Sequence, residues 1–302
     1  MVKKVLVTGA AGFVGRYVAK EFSKVGAEVV GIGRGKFPDF KAWGVSEWHE
    51  ADISMEALTE FAGKPDIIIH CAGGASVGYS VEYPRQDFCL TVDATSALLD
   101  YVRIYSPESR LVYPSSAAVY GQVSSEPIQE ISQTSPISPY GIHKLMAENL
   151  CKMYADRYGL SISIMRLFSI YGAGLRKQLL WDACNKISEN NFSFFGTGKE
   201  TRDWLHVLDV AKLLLVAADH ANQLCPVMNG GSGVGVSVEK VLRMLMHGLK
   251  CQQSPIFSSE AKSGDPDTLI SNSTLLRELG WSPCMNLEDG IAAYVEWYQQ
   301  CH

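Results

Sequence analysis

Apolar positions along the first half of the chain come in short unbroken runs rather than in alternation: "KVLVTG", "AEVVGIG" at 27–33, "DIIIH" at 66–70, "RLVYPSS" at 110–116 and "LSISIMRL" at 160–167. Such runs predict strands buried on both faces, as in a parallel sheet. Between them the apolar spacing turns helical, from about Gly12, around 54–62, over a long stretch ending near Tyr105, and from Ser138 onward. Strand and helix alternating in this way predict an α/β fold, a Rossmann-like doubly wound parallel sheet. After Phe168 the pattern changes to glycine-rich turns, "NFSFFGTG", a helix from about Val207, a strand "PVMNGG" and helices near 237–249 and 287–299. We therefore expect a Rossmann-like domain over 1–168 and a smaller, partly interleaved lobe over 169–302, with a segment near 206–232 returning to the first domain.

Composition narrows the partners. With 27 basic against 32 acidic residues the net charge is -5, and no basic run forms a nucleic-acid footprint. Any phosphate bound belongs to a small ligand. No stretch is long and apolar enough to span a bilayer, so a soluble, cytoplasmic protein is expected. The cysteines, at 71, 89, 151, 184, 225, 251, 284 and 301, are scattered without a CxxC pair. They read as reduced thiols rather than a disulfide framework or a metal site. The seven histidines are equally dispersed and read as satisfied or surface residues.

Candidate chemistry begins at "GAAGFVG", which follows the first strand and opens the first helix. Glycines there allow a tight turn and close backbone approach, while a helix N-terminus favours a pyrophosphate. The candidate cofactor contacts are Gly9, Gly12, Phe13, Val14 and Gly15, then Asp52 and Ile53 near the adenine, and Ala72 and Gly73 of "HCAGG". At the end of the second strand an acidic residue would select NAD, whereas Arg accommodates a 2′-phosphate. This chain has Gly33, Arg34 and nearby Lys36, which leans toward NADP, although an ordinary basic loop is also compatible with NAD.

The stretch "SPYGIHKLMAEN" places Ser138 as an N-cap, Pro139 at the first helical position, and Tyr140 and Lys144 four residues apart on one face. A nearby cation favours the phenolate, so the pair can serve as an acid–base device. Ser115 or Ser116 of "YPSSAAVYG", at the carboxyl edge of the sheet, can share a substrate oxygen with Tyr140.

Together the glycine loop, the serine and Tyr-x-x-x-Lys resemble the extended short-chain dehydrogenase/reductases, specifically the nucleotide-sugar epimerase/dehydratase family. "RLFSIYG", "GTGKETRDWLHVLDVA" and "SGDPDTLISNSTLLRELGW" extend the likeness over almost the whole chain. The resemblance implies that Ser116 polarises the substrate oxygen, Tyr140 acts as acid and base, and Lys144 binds the nicotinamide ribose and lowers the tyrosine pKa. It also implies a nucleoside diphosphate sugar in the second lobe, with Arg202 at phosphate, Phe195 near the base, and Ser169 and Lys262 where the family carries an asparagine and an arginine. A homodimer through helices near 86–105 and 139–158 is implied as well. Ala117 and Ala118 stand where dehydratases carry an acid, which disfavours 4,6-dehydration. Arg176 and Lys177 read as the solvated start of a helix rather than diphosphate contacts. The leading expectation is a nucleotide-sugar 4-epimerase. Its alternatives are an NADPH-dependent reductase of a 4-keto-6-deoxy sugar and, behind both, a nonenzymatic dinucleotide-binding protein.

Overall fold

The computed structural model describes residues 2–123, 127–259 and 267–301. Lys262 lies outside the described residues. The chain runs through β1 (Lys4–Thr8), α1 (Phe13–Lys24), β2 (Glu28–Gly33), β3 (Glu47–Glu50), α2 (Met55–Phe61), β4 (Ile67–His70), α3 (Val77–Glu82), α4 (Pro84–Phe88), α5 (Ala94–Tyr105), β5 (Arg110–Ser116), α6 (Pro139–Tyr158) and β6 (Ser161–Leu167). It continues through β7 (Ser169–Tyr171), α7 (Gln178–Ser188), β8 (Ser193–Phe194), β9 (Thr201–His206), α8 (Val207–Asp219), β10 (Val227–Gly230), β11 (Gly235–Ser237), α9 (Val238–Gly248), β12 (Ile256–Phe257), β13 (Thr268–Leu269), α10 (Thr274–Glu278) and α11 (Leu287–Gln300).

Two compact units result. The first contains residues 1–121, 133–167 and 210–228, and the second residues 122–132, 168–209 and 229–302. The seven-stranded sheet has the order β10-β6-β5-β4-β1-β2-β3; its strands β6 across to β3 belong to the first unit and pair in parallel. Strand order reverses between β1 and β4, where Thr8 stands opposite His70. Ligands of open α/β sheets bind outside the carboxyl ends of the strands at such a switch point. The central strands of the sheet have no polar face: Ile68 and Ile69 of β4 and Ile162 and Ile164 of β6 are fully buried. Leu98, Leu99 and Val102 of α5 and Ala147 and Cys151 of α6 join that core. Each buried leucine or isoleucine contributes about 1.5–3 kcal/mol, which fixes these helices on the sheet.

One helix differs from expectation. The stretch ending at Tyr105 is not a single helix: α3 and α4 precede a π-helical turn over Cys89–Asp93, and only then does α5 begin. The wider turn is stabilised from outside the helix, with Thr91 Oγ1 accepting the Gly74 amide at 3.0 Å.

In the second unit β9 is central, antiparallel to β11 and parallel to both β13 and β7. Leu180, Cys184, Val241, Leu245, Tyr294 and Val295 of α7, α9 and α11 are buried in this unit. Asp203 of β9 ties it together. Its carboxylate accepts from the amide and hydroxyl of Ser232, the amide and hydroxyl of Ser271, and the Gly233 amide.

Candidate active site

The glycine loop closes β1 onto its neighbours. Gly9 adopts φ 69° and donates its amide to the Ile32 carbonyl at 2.6 Å. A Cβ at Gly9 would fall 2.7 Å from the Ala72 nitrogen, and one at Gly15 would fall 2.2 Å from the Gly9 carbonyl oxygen. Only glycine allows both approaches. Gly12 caps α1 with no side-chain hydrogen bond, and the first turn carries no acid. The positive end of a twelve-residue helix, with Phe13, Val14 and Gly15 in its first turn, is thereby kept for an anion at the switch point. These residues fit a dinucleotide pyrophosphate.

Behind the loop the strand ends are cross-linked. His70 bridges Thr8 Oγ1 at 2.8 Å and Thr95 Oγ1 at 3.2 Å, and Ala72 donates its amide to the same Thr8 hydroxyl. Burial, with the Lys144 charge adding to it, pushes His70 down to about 3, so the imidazole is neutral and one ring nitrogen accepts. At the outer edge Arg34 and Asp52 face each other, exposed, 3.6 Å apart.

Tyr140, Ser116 and Lys144 meet because two chain termini of secondary structure abut. Ser138 Oγ caps α6 by accepting the Gly141 amide at 3.2 Å, with Pro139 in the first turn. A Cβ on Gly141 would come 2.6 Å from the Ala118 carbonyl oxygen, so the missing side chain lets α6 press on the turn after β5. Ser116 caps that turn by accepting the Ala118 amide at 3.2 Å, and it hydrogen-bonds the Tyr140 side chain. The Tyr140 amide is itself held, donating to Ser80 Oγ at 3.0 Å. Ser115 points the other way, as the alternation of a strand requires. It is buried and donates to Glu148 Oε1 at 2.6 Å, so Ser116 alone of the two serines stands beside Tyr140.

Lys144 is buried on the same helix face. Its Nζ donates to the Pro114 carbonyl at 3.0 Å and lies 5.0 Å from the Tyr113 ring centre and 6.0 Å from that of Tyr140. Burial pushes its ammonium down to about 8, against which the Asp87 and Glu148 carboxylates favour the charged form. Burial pushes the Tyr140 hydroxyl up to about 12, opposed by the Ser116 hydrogen bond and reinforced by the Asp87 charge. An acid and a base whose ordinary values lie together are thus pulled apart by their surroundings. Gly73 belongs to the same corner, since a Cβ on it would lie 3.8 Å from Lys144 Nζ.

The remaining candidates lie elsewhere. In the second unit Arg202 donates to the Thr201 and Asp267 carbonyls, Phe195 is exposed, and Ser169 stands in β7 opposite Trp204. Arg176 lies over the rings of Trp181 and Trp297 in that unit. Ile53 packs against the core of the first unit. Sequence reasoning passed over His70, Thr91, Asp87 and His143. For His143 a signal existed, three residues after Tyr140 on the same helix face; for Asp87, 56 positions away from it, none did.

A parallel sheet with a glycine loop at its switch point and a Ser–Tyr–Lys cluster on the neighbouring strand edge defines an NAD(P)-linked enzyme of short-chain type. The chain belongs to the NAD dependent epimerase/dehydratase family, whose profile matches residues 5–229. It is similar to the UDP-glucose 4-epimerase of Azospirillum brasilense, 31% identical over 95% of this chain and 89% of that one. Among solved structures it resembles the UDP-glucose 4-epimerase of Thermotoga maritima with UDP-glucose, at 26% identity and TM-score 0.89 over 99% of each chain. It also resembles MoeE5 in complex with UDP-glucuronic acid and NAD, at 27% identity and TM-score 0.89 over 99% of this chain and 100% of that chain. No described helix is long and apolar enough to cross a membrane.

Proposed function

We propose that this protein is a nucleotide-sugar 4-epimerase that retains NAD and inverts C4 of a nucleoside diphosphate hexose. The observation that carries this reading is the Ser116–Tyr140 hydrogen bond beside the buried Lys144, with alanine at 117 and 118 where an elimination would need a proton donor. A nicotinamide bound at the switch point would supply the hydride acceptor and donor and, when oxidised, a positive charge. Gly9, Gly12, Phe13, Val14, Gly15, Ala72 and Gly73 would hold the dinucleotide, with Asp52 and Ile53 at its adenine end.

The protein's own work is proton transfer. Tyr140 takes the proton of the C4 hydroxyl as that carbon is oxidised and returns it once the keto sugar has presented its other face. Ser116 donates to the same oxygen and steadies its developing charge. Lys144 places a cation 6.0 Å from the Tyr140 ring centre, where negative charge develops as the phenol gives up its proton. Net redox change is zero, so the cofactor need not leave.

For the cofactor, the Gly33-Arg34 pattern leaned toward NADP. With Arg34 facing Asp52, whose carboxylate would meet a 2′-phosphate, we read NAD instead. We also read a homodimer through α5 and α6. Ile142, Met146 and Met153 of α6 and Ile104 and Tyr105 of α5 leave apolar side chains exposed along the two helices. The eight scattered cysteines, all free, suit a cytoplasmic setting. Within the second unit Arg202 and Phe195 are the proposed nucleotide contacts.

The test is to incubate the purified protein with UDP-glucose, UDP-N-acetylglucosamine or UDP-glucuronic acid without added NAD(P)H, and to follow the C4 epimer by NMR. Appearance of the epimer supports the reading. No epimer from any of them, with stoichiometric consumption of NADPH on a 4-keto-6-deoxy sugar nucleotide, replaces it with the reductase. Sedimentation of the same sample tests the dimer.

A further inference from the structure

Asp87, near the end of α4, is completely buried, and its Oδ2 lies 2.6 Å from Nδ1 of His143. A carboxylate only accepts, so Nδ1 carries the proton of this bond. The other oxygen, Oδ1, is buried without a hydrogen-bond partner among the described residues. It fills the space a side chain on Gly74 would need, 2.0 Å from where that Cβ would stand. Leaving a buried carboxylate half satisfied is costly. Glu148, also fully buried, shows the ordinary solution, with Ser115 and Arg166 Nε on one oxygen and the Arg166 NH2 group on the other.

The placement of the pair is informative. His143 sits between Tyr140 and Lys144 on α6, and the Asp87 charge acts on both of them. Around Lys144 stand Asp87 from α4, Tyr140, Glu148 and Cys151 from α6, Tyr113 from β5, and His70 and Cys71 from the end of β4. Cys71, pushed up to about 12, is a neutral thiol, as is the buried Cys151, and His70 is neutral. Glu148 is engaged by Arg166. Among the described residues Asp87 is therefore the carboxylate near Lys144 that has no arginine partner.

We propose that Asp87, held by His143, is a positioning residue for the Tyr140–Lys144 pair: its fixed carboxylate, bonded to α6 between the two, anchors the helix segment that presents both side chains. This rests on reading Tyr140 and Lys144 as the working pair of a 4-epimerase. The experiment compares wild type, Asp87→Asn, His143→Asn and His143→Ala in two ways. One is a pH titration of the Lys144 13Cε resonance, assigned with Lys144→Met. The other is kcat and KM against pH on the UDP-hexose the wild type turns over.

We expect the Lys144 midpoint, near 8 in the wild type, to fall by about half a unit or more in Asp87→Asn. The alkaline limb of kcat moves with it, and kcat drops about tenfold with KM within about twofold. His143→Asn places an amide where Nδ1 was and restores both readouts. His143→Ala behaves like Asp87→Asn, because it removes the donor that holds the carboxylate on α6. An unmoved midpoint in Asp87→Asn, or His143→Ala matching wild type, overturns the proposal. If Asp87→Asn does not fold by circular dichroism, the contrast between the two His143 variants decides. If the wild type epimerises nothing, the functional reading fails while the titration still tests the placement of charge.

Discussion

Asp203 in the second unit and Asp87 in the first are both fully buried carboxylates, yet their surroundings differ. Asp203 is saturated by the amides and hydroxyls of Ser232 and Ser271 and the amide of Gly233. Among the described residues Asp87 has one donor, His143, and an oxygen left over. The same contrast extends outward. Asp209 of the second unit accepts the Cys284 and Met285 amides, whereas Lys144 of the first is an ammonium with one carbonyl and two ring faces. A saturated buried charge holds loops together. An under-satisfied one stores free energy that a ligand or a reaction can draw on.

Replacing Tyr140 with Phe breaks the comparison most sharply. It removes the group that moves the proton but leaves the packed ring, so kcat should fall by about 10²–10⁴ with the melting temperature nearly unchanged. A large loss of stability instead would show that the phenol is scaffolding. Asp203→Ala is the converse. It leaves the Ser232, Gly233 and Ser271 donors unpaired inside the second unit and should cost about 3 kcal/mol or more in urea unfolding. The Lys144 titration, read in the first unit, should not move.

The sequence carried the first unit well. The β1 and β2 runs, the glycine loop and the start of α6 at Ser138-Pro139 were legible because each depends on local rules of burial, turn geometry and capping. Contacts made across the fold were not. Ser115 and Ser116 are adjacent and chemically identical, and only the strand direction that turns one toward Glu148 and the other toward Tyr140 separates them. The π-turn at Cys89–Asp93 was hidden because its stabilising partner, the Gly74 amide, lies outside the helix. Asp87 was passed over for the same reason, since its partner His143 lies 56 positions away.

Lys144→Met should sharpen the comparison by separating stability from activity. The folded value near 8 lies below the ordinary lysine value of 10.5. Between the two, the unfolded chain keeps a proton that the folded chain releases, so wild-type stability rises as pH climbs from about 8 to about 10.5. Below that window the fold carries the full cost of the buried ammonium. Lys144→Met removes it and should stabilise the cofactor-free protein at pH 7 by roughly 1–3 kcal/mol while abolishing turnover. The gain should vanish near the upper end of the window. A destabilised Lys144→Met at pH 7 would mean that the carbonyl and ring contacts outweigh desolvation.

The smallest effect is expected where the charges are exposed. Arg34 follows Gly33 and Asp52 lies just past Glu50, and the parallel register that pairs Gly33 with Glu50 brings the two charges together. An ion pair this solvated contributes about 0–1 kcal/mol, so Arg34→Ser and Asp52→Asn should leave the urea midpoint nearly unchanged. Their effect belongs to the cofactor. Asp52→Asn frees Arg34 and removes the carboxylate that a 2′-phosphate would meet, so the ratio of NADP to NAD affinity should rise by about tenfold, or 1.4 kcal/mol. Arg34→Ser should lower that ratio in the Asp52→Asn background and change it little in the wild type. A wild type that already binds NADP more tightly than NAD would show that Asp52 does not hold Arg34 back, and the cofactor reading would pass to NADP.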